Sequence, residues 1–256
     1  MIRWLLLAAL IMPVPAWAWG AEGHEVAAAI ALQEMTPKAR AQASRLLGGE
    51  AMMIHDANWA DEIKDQRRET GPWHYVDIPL AARNYDSRRD CGDGDCVVAQ
   101  IKREQRILAN RKLSPGQRAE ALRFLIHFVA DLHQPLHAED NDDKGGNGMK
   151  VYLGNQRTNL HHVWDVQVVE VLGYDADAVA RSITISPAQR TAWCRGSVMD
   201  WANESHALAQ DIYEGARGHR NLRISPATLR SVAPITRQQL AKAGTRLACI
   251  LNRTLD

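Results

Sequence analysis

The residues best suited to chemistry in this 256-residue chain are histidines and aspartates in an order that favours a bound cation: His24, Asp61, His74, His127, Asp131, His137, His161 and Asp165. Zinc takes imidazole nitrogen and carboxylate oxygen, and a catalytic zinc site keeps one position open for water. Residues four apart share a helix face, so His127 with Asp131, and His161 with Asp165, can each close on one ion. Spacing alone carries little weight, because a chain with 10 histidines produces such pairs by chance. Taken singly, either pair reads more simply as a surface ion pair. The surrounding text lifts them above that. The run His127-Phe-Val-Ala-Asp131-Leu-His-Gln-Pro135-Leu-His137 sets three potential ligands on one expected helix, its end bent by Pro135. Asn159-Leu-His-His-Val-Trp-Asp165 follows a Gly-Gly-Asn loop.

Helices have to carry these ligands. Thr36-Pro37, Ser114-Pro115, Ser186-Pro187 and Ser225-Pro226 each set an N-cap residue before a proline at the first helical position. Gln117 and Gln189, three residues after Ser114 and Ser186, complete two capping boxes. Ala121, Leu122, Leu125, Phe128, Val129 and Leu132 recur at helical spacing. Strand-like segments are few and short, Trp73 to Ile78 and Lys150 to Leu153, and loops are expected near Tyr85 to Asp95 and Glu139 to Gly148. With no repeat and no low-complexity linker, the chain reads as one mainly α domain.

Residues 1–18 read as a secretory signal peptide: Arg3, an apolar stretch from Trp4 to Met12, and the small-x-small site Ala16-Trp17-Ala18. Cleavage there would leave a mature domain from Trp19 to Asp256, exported to a periplasm or the medium. No later apolar run is long enough to cross a bilayer. The chain has 31 Lys and Arg against 30 Asp and Glu, and losing Arg3 brings the mature charge to zero. That excludes a protein that grips nucleic acid through its own basic surface. Any phosphate it binds must meet positive charge from another source. Four cysteines in an exported chain suggest two disulfides, with three possible pairings. Cys91 and Cys96 bracket a turn-rich Gly-Asp-Gly-Asp and are the first choice, leaving Cys194 for Cys249. The longer bridge would contribute roughly 4 kcal/mol on the chain-entropy account.

These runs, with Trp19-Gly20 at the expected new N-terminus and His24 five residues on, resemble the zinc-dependent single-strand nucleases of fungi, plants and bacteria. This is the S1/P1 type, a branch of the phospholipase C-like zinc hydrolases. The resemblance spans Trp19 to about Leu172 and implies that helical fold with three zinc ions. It would place Asp61, His74, His127 and Asp131 on the first ion, and His137, His161 and Asp165 on the second. The third would take the amine and carbonyl of Trp19, His24, and the other oxygen of Asp131. Asp131 and Asp61 would be the catalytic carboxylates. Three zinc ions carry more charge than Asp61, Asp131 and Asp165 neutralise, which supplies the missing attraction for phosphate. Bound zinc also lowers the pKa of water towards about 7.

The same resemblance assigns Tyr75 to stacking on a base and Asp77 and Asn147 to the base edge; Lys64, one helical turn after Asp61, would either touch phosphate or simply be solvated. The resemblance implies an endonuclease acting on single-stranded DNA and RNA, with mononucleotide and 5′-phosphate products and 3′-nucleotidase activity. No obligate protein partner is evident. Ala130 departs from the glycine usual in the family, and His162 leaves open which of two adjacent histidines faces inward. His55, His133, His206, His219, Trp193 and Trp201 read as ordinary structural residues. Two rivals remain: a phospholipase C-like enzyme acting on lipid head groups, and a secreted zinc-binding protein without catalysis.

Overall fold

A computed structural model describes residues 19–218 and 222–256; the expected signal segment and His219 lie outside the described residues. Each Ser/Thr-Pro start opens a helix, at Pro37–Leu47, Pro115–Asp131, Pro187–Trp193 and Pro226–Leu255. Both expected capping boxes close, at Ser114 and Ser186.

The central helix Pro115–Asp131 is buried on every side over its second half, from Phe124 to Asp131. A helix apolar all round belongs in the core, and this one carries His127 and Asp131 there. The N-terminal helix Ala21–Glu34 and the C-terminal helix Pro226–Leu255 pack against it and each other. They meet closely at Gly244, where an added Cβ would stand 2.5 Å from the Ile30 Cβ. Close approach by the C-terminal helix keeps the alanine-rich N-terminal helix, and His24 on it, inside the fold.

Among the described residues the strands form one small sheet, its middle strand paired on both sides. β1 (Lys150–Leu153) pairs antiparallel with β2 (Gln156–Asn159) and parallel with β3 (Leu222–Ile224). The sheet leads directly into the helical run carrying His161 and Asp165. Val163–Gln167 there is widened to a π-helical turn, a feature common at functional sites.

Two expectations are corrected. Trp73 to Ile78 is not a strand: Arg68–His74 forms 3-10 turns around Pro72, and the chain extends only from Tyr75. There it bonds to the loop after His137 instead of a sheet, through Val76 N–H to His137 O (2.8 Å) and Asp140 N–H to Ile78 O (2.7 Å). The central helix also stops at Asp131, so His137 sits on a separate 3-10 turn, Pro135–His137. Pro135 has no N–H for the Asp131 carbonyl, and Gln134 N–H takes it at 2.9 Å. The disulfides are Cys91–Cys96 and Cys194–Cys249, the second tying the Pro187–Trp193 helix to the C-terminal helix. Among the described residues no helix is long and apolar enough to cross a membrane.

Candidate metal centre

Asp131 is fully buried and presents its two oxygens to different neighbours. Oδ1 lies 3.1 Å from His24 Nε2, while Oδ2 lies 3.0 Å from His74 Nδ1 and 3.3 Å from His127 Nε2. Asp61 joins the second group, 3.6 Å from His74 Nδ1 and 3.7 Å from His127 Nε2. His127 Nδ1 donates to Ala57 O at 2.7 Å, which turns its other nitrogen towards the carboxylates. Burial would depress His127, yet Asp131 and Asp61 outweigh it and push the ring up to about 9. Burial would likewise raise Asp131, but its imidazole neighbours, His127 foremost, hold it well below the usual carboxylate range. Two buried carboxylates therefore demand positive charge, from a proton on His127 or from a bound cation.

The second group admits no such choice. His137 Nδ1 donates to His74 O at 2.8 Å, and His161 Nδ1 donates to Gly145 O at 2.6 Å. A carbonyl only accepts, so both Nε2 atoms of the neutral rings carry lone pairs. They face each other at 3.2 Å, with Asp165 Oδ2 3.2 Å from His161 Nε2. Burial, with His137 beside it, takes His161 down to about 3, and burial also lowers His137. Burial raises Asp165 well above the normal range. A proton on Asp165 would satisfy His161 and still leave His137 facing a lone pair. Three converging acceptors without enough donors fit a divalent cation.

Among the described residues the geometry thus yields three sets of converging ligand atoms: His24, His127 and Asp131; Asp61, His74 and His127; and His137, His161 and Asp165. His24 Nδ1, Asp61 Oδ2, His74 Nε2 and Asp165 Oδ2 are buried without a hydrogen-bond partner. Trp19 is wholly buried beside them; its indole N–H donates to Ala130 O at 2.9 Å, and Gly20 N–H donates to Asp165 O at 2.7 Å. Ala130, the departure from glycine, is accommodated in the core. His161 is the inward histidine, whereas His162 is only half-buried and its backbone N–H goes to Asn159.

A cleft of ≈ 530 Å³ opens over His74, His137 and His161. Tyr75, 40% exposed, stands at its edge, with Asp77, Asn147 and Lys64 also lining it. Asn147 Nδ2 donates to Lys144 O at 2.8 Å. Burial, then Asp140 and Asp90, raises Asp77. Lys64 Nζ is 2.9 Å from Asp61 Oδ1, so it is paired with a candidate ligand. A larger hollow of ≈ 870 Å³ holds none of the ligand sets, and chemistry therefore favours the smaller cleft.

Residues 19–256 match the family model described as S1/P1 Nuclease. This chain belongs to the S1/P1 nuclease family. Endonuclease 2 of Arabidopsis thaliana is 32% identical to it, over 92% of this chain and 90% of that protein. Nuclease P1 of Penicillium citrinum is 31% identical, over 91% and 97% respectively. Nuclease S1 of Aspergillus oryzae is 28% identical, over 92% and 91%. Membership makes the chain a zinc-dependent nuclease, a hydrolase of phosphodiester bonds.

In this S1/P1 nuclease several residues that support the centre escaped sequence reasoning. Gln134 holds Asp165 Oδ1 at 2.6 Å through its Nε2 and accepts Leu136 N–H at 2.6 Å through its Oε1. Its place inside the His-Gln-Pro-Leu-His run was the available signal. Gly145 has a φ of 65°, and a Cβ there would stand 2.7 Å from Leu136 O and 3.2 Å from His161 Nδ1. Glycine is what lets that carbonyl reach His161. Glu139 and Tyr213 gave no signal at all. Glu139 is 2% exposed, and burial pushes its carboxyl up to about 8.

Proposed function

We propose that the mature chain, Trp19 to Asp256, is an exported endonuclease that uses three zinc ions to cut single-stranded DNA and RNA. Its products would carry 5′-phosphate ends, and it would also act as a 3′-nucleotidase. The observation that carries this reading is the convergence of lone pairs at His137, His161 and Asp165, beside a second buried group sharing Asp131, beneath an open cleft. Asp61, His74, His127 and Asp131 would hold one ion, and His137, His161 and Asp165 a second. His24, Asp131 and the backbone of Trp19 would hold the third. When bound, zinc supplies an activated water and positive charge for phosphoryl oxygens.

The residues of the chain do the rest. Ala57, His74 and Gly145 carbonyls fix three imidazoles so that each Nε2 points inward. Gln134 fixes Asp165. Tyr75 offers a ring to an unstacked base, an interaction worth about 1–3 kcal/mol with little dependence on base identity. Duplex substrates bury that face, and extruding a base costs a few kcal/mol. Asp77 and Asn147 then face the base edge, and Lys64 the phosphate. Cleavage after Ala18 would free the Trp19 amine to act as a ligand, and the family match that begins at residue 19 supports this.

The test is turnover of single-stranded DNA, single-stranded RNA, duplex DNA and a phosphatidylcholine analogue by the mature protein, before and after chelation. Single strands should be cut fastest, and activity should vanish with the metal and return with zinc. Preference for the lipid would replace this reading with a phospholipase. Inactivity on all four would leave a zinc-binding protein.

A further inference from the structure

The loop Asp143-Lys-Gly-Gly-Asn-Gly148 carries two parts of the site at once. Gly145 O orients His161, and Asn147 lines the cleft. Its backbone is not one the chain would hold unaided. Lys144, Gly145 and Gly146 all have positive φ, as does Asp142 just before them. For the two residues that are not glycine, the left-handed conformation costs on the order of 1–2 kcal/mol each. Something must over-determine the loop for it to persist.

Asp143 provides the internal ties: Oδ1 accepts Gly146 N–H at 2.7 Å, and its carbonyl accepts Gly148 N–H at 2.7 Å. Asp143 is itself held from outside. The Tyr213 hydroxyl lies 2.7 and 2.9 Å from the two Asp143 oxygens and 2.9 Å from Glu139 Oε1. Tyr213 comes from the helix Val198–Ala216, and its ring packs in the apolar cluster with Leu136, Val151, Leu160 and Trp164. That packing fixes where the hydroxyl stands. A rigid helix thus reaches the loop through one oxygen atom.

We propose that Tyr213 is a positioning residue, which acts through Asp143 to hold the Gly145 carbonyl on His161 and Asn147 at the cleft. The inference rests on the nuclease reading for its Asn147 half, and on metal binding alone for its His161 half. Partners that orient a metal ligand from outside commonly affect metal affinity about 10–100-fold.

Tyr213→Phe keeps the ring in the apolar cluster and removes only the hydroxyl. It should release zinc more readily in competition with a chromogenic chelator, by up to about the 10-fold lower end of what losing a ligand's direct partner costs. At saturating zinc, KM for a single-stranded oligonucleotide should rise while kcat stays within about twofold, the mark of lost binding. Asp143→Ala removes that link together with the tie to Gly146 N–H, so it should lose at least as much, and adding Tyr213→Phe to it should cost little more. Asp143→Asn retains an acceptor for Gly146 N–H and for the hydroxyl, and should restore most of the affinity. Tyr174→Phe, 76% exposed, serves as the control. Zinc affinity and KM unchanged in Tyr213→Phe would overturn the proposal, as would additive losses in the double variant. If Tyr213→Phe does not fold, Asp143→Ala against Asp143→Asn decides, and equal damage from both would overturn it. Failure of the parent protein to cut single strands would instead count against the nuclease reading, with the zinc titration still testing the strut.

Discussion

His133 and His137 lie four residues apart, both are buried, and both give Nδ1–H to a backbone carbonyl, yet they belong to opposite kinds of site. His133 Nε2 meets a donor, Arg246 Nη1, at 2.8 Å. Arg246 in turn meets both oxygens of Glu204, at 2.8 and 2.9 Å. Each acceptor atom there has a donor opposite it. His137 Nε2 instead meets the lone pair of His161 at 3.2 Å. Burial and nearness to polar neighbours are the same in both regions. The sign of the partner separates them: donor against acceptor in the structural cluster, acceptor against acceptor in the candidate metal centre.

The comparison can be broken most sharply at Asp131. Asp131→Asn keeps the volume but removes a charge and one ligand oxygen. It should empty at least one site and cut turnover on the order of a thousandfold, equivalent to about 4 kcal/mol of lost stabilisation. His133→Gln should cost about 1–3 kcal/mol of stability by leaving Arg246 less well satisfied. It should leave the zinc count unchanged. If metal analysis finds the two variants alike, the distinction drawn from donor and acceptor sign is wrong.

Chelation tests the same contrast without mutation. A site held at a thousandfold excess over its Kd contributes about 4 kcal/mol to folding, so stripping zinc should lower Tm markedly. The centre should loosen while the His133 cluster keeps its bonds, which hydrogen exchange of the Val129 to His137 amides would resolve. Uniform exchange across that turn would contradict it. A mature chain carrying one extra residue before Trp19 sharpens the picture further, since an amide nitrogen has no lone pair to offer. It should bind one ion fewer and lose most activity, and full activity would remove Trp19 from the ligand set. The smallest effect belongs to the rim. Tyr75→Ala should raise KM for oligonucleotides by about 5–150-fold, the equivalent of 1–3 kcal/mol of stacking, with zinc content unchanged. Lost zinc in that variant would mean that the rim and floor of the site are not separable.

The candidate ligands could be named from the sequence, but not for one uniform reason. Helical spacing could pair His127 with Asp131, whereas the grouping of His24, Asp61 and His74 with them came only from resemblance to a family. Spacing misled where Pro135 intervened: His137 stands near His161 because the helix has ended, not because it continues. Likewise Tyr75 reaches the cleft from an extended segment bonded to residues 137–140, a pairing that no local pattern announces.

What the amino-acid order determined by itself are events settled between near neighbours. Thr36, Ser114, Ser186 and Ser225 start helices because a side-chain oxygen meets an N–H three residues on, whatever else the chain does. Tertiary structure decided which nitrogen of each imidazole faces inward and which of His161 and His162 is the inner one. It also decided that Gln134 and Tyr213 brace the site. Those outcomes depend on carbonyls, carboxylates and hydroxyls that arrive from far along the chain, 70 residues away for Ala57 and His127 and 70 again for Tyr213 and Asp143. A hydrogen bond's direction is a property of both partners, and only the packed fold brings the second partner within reach.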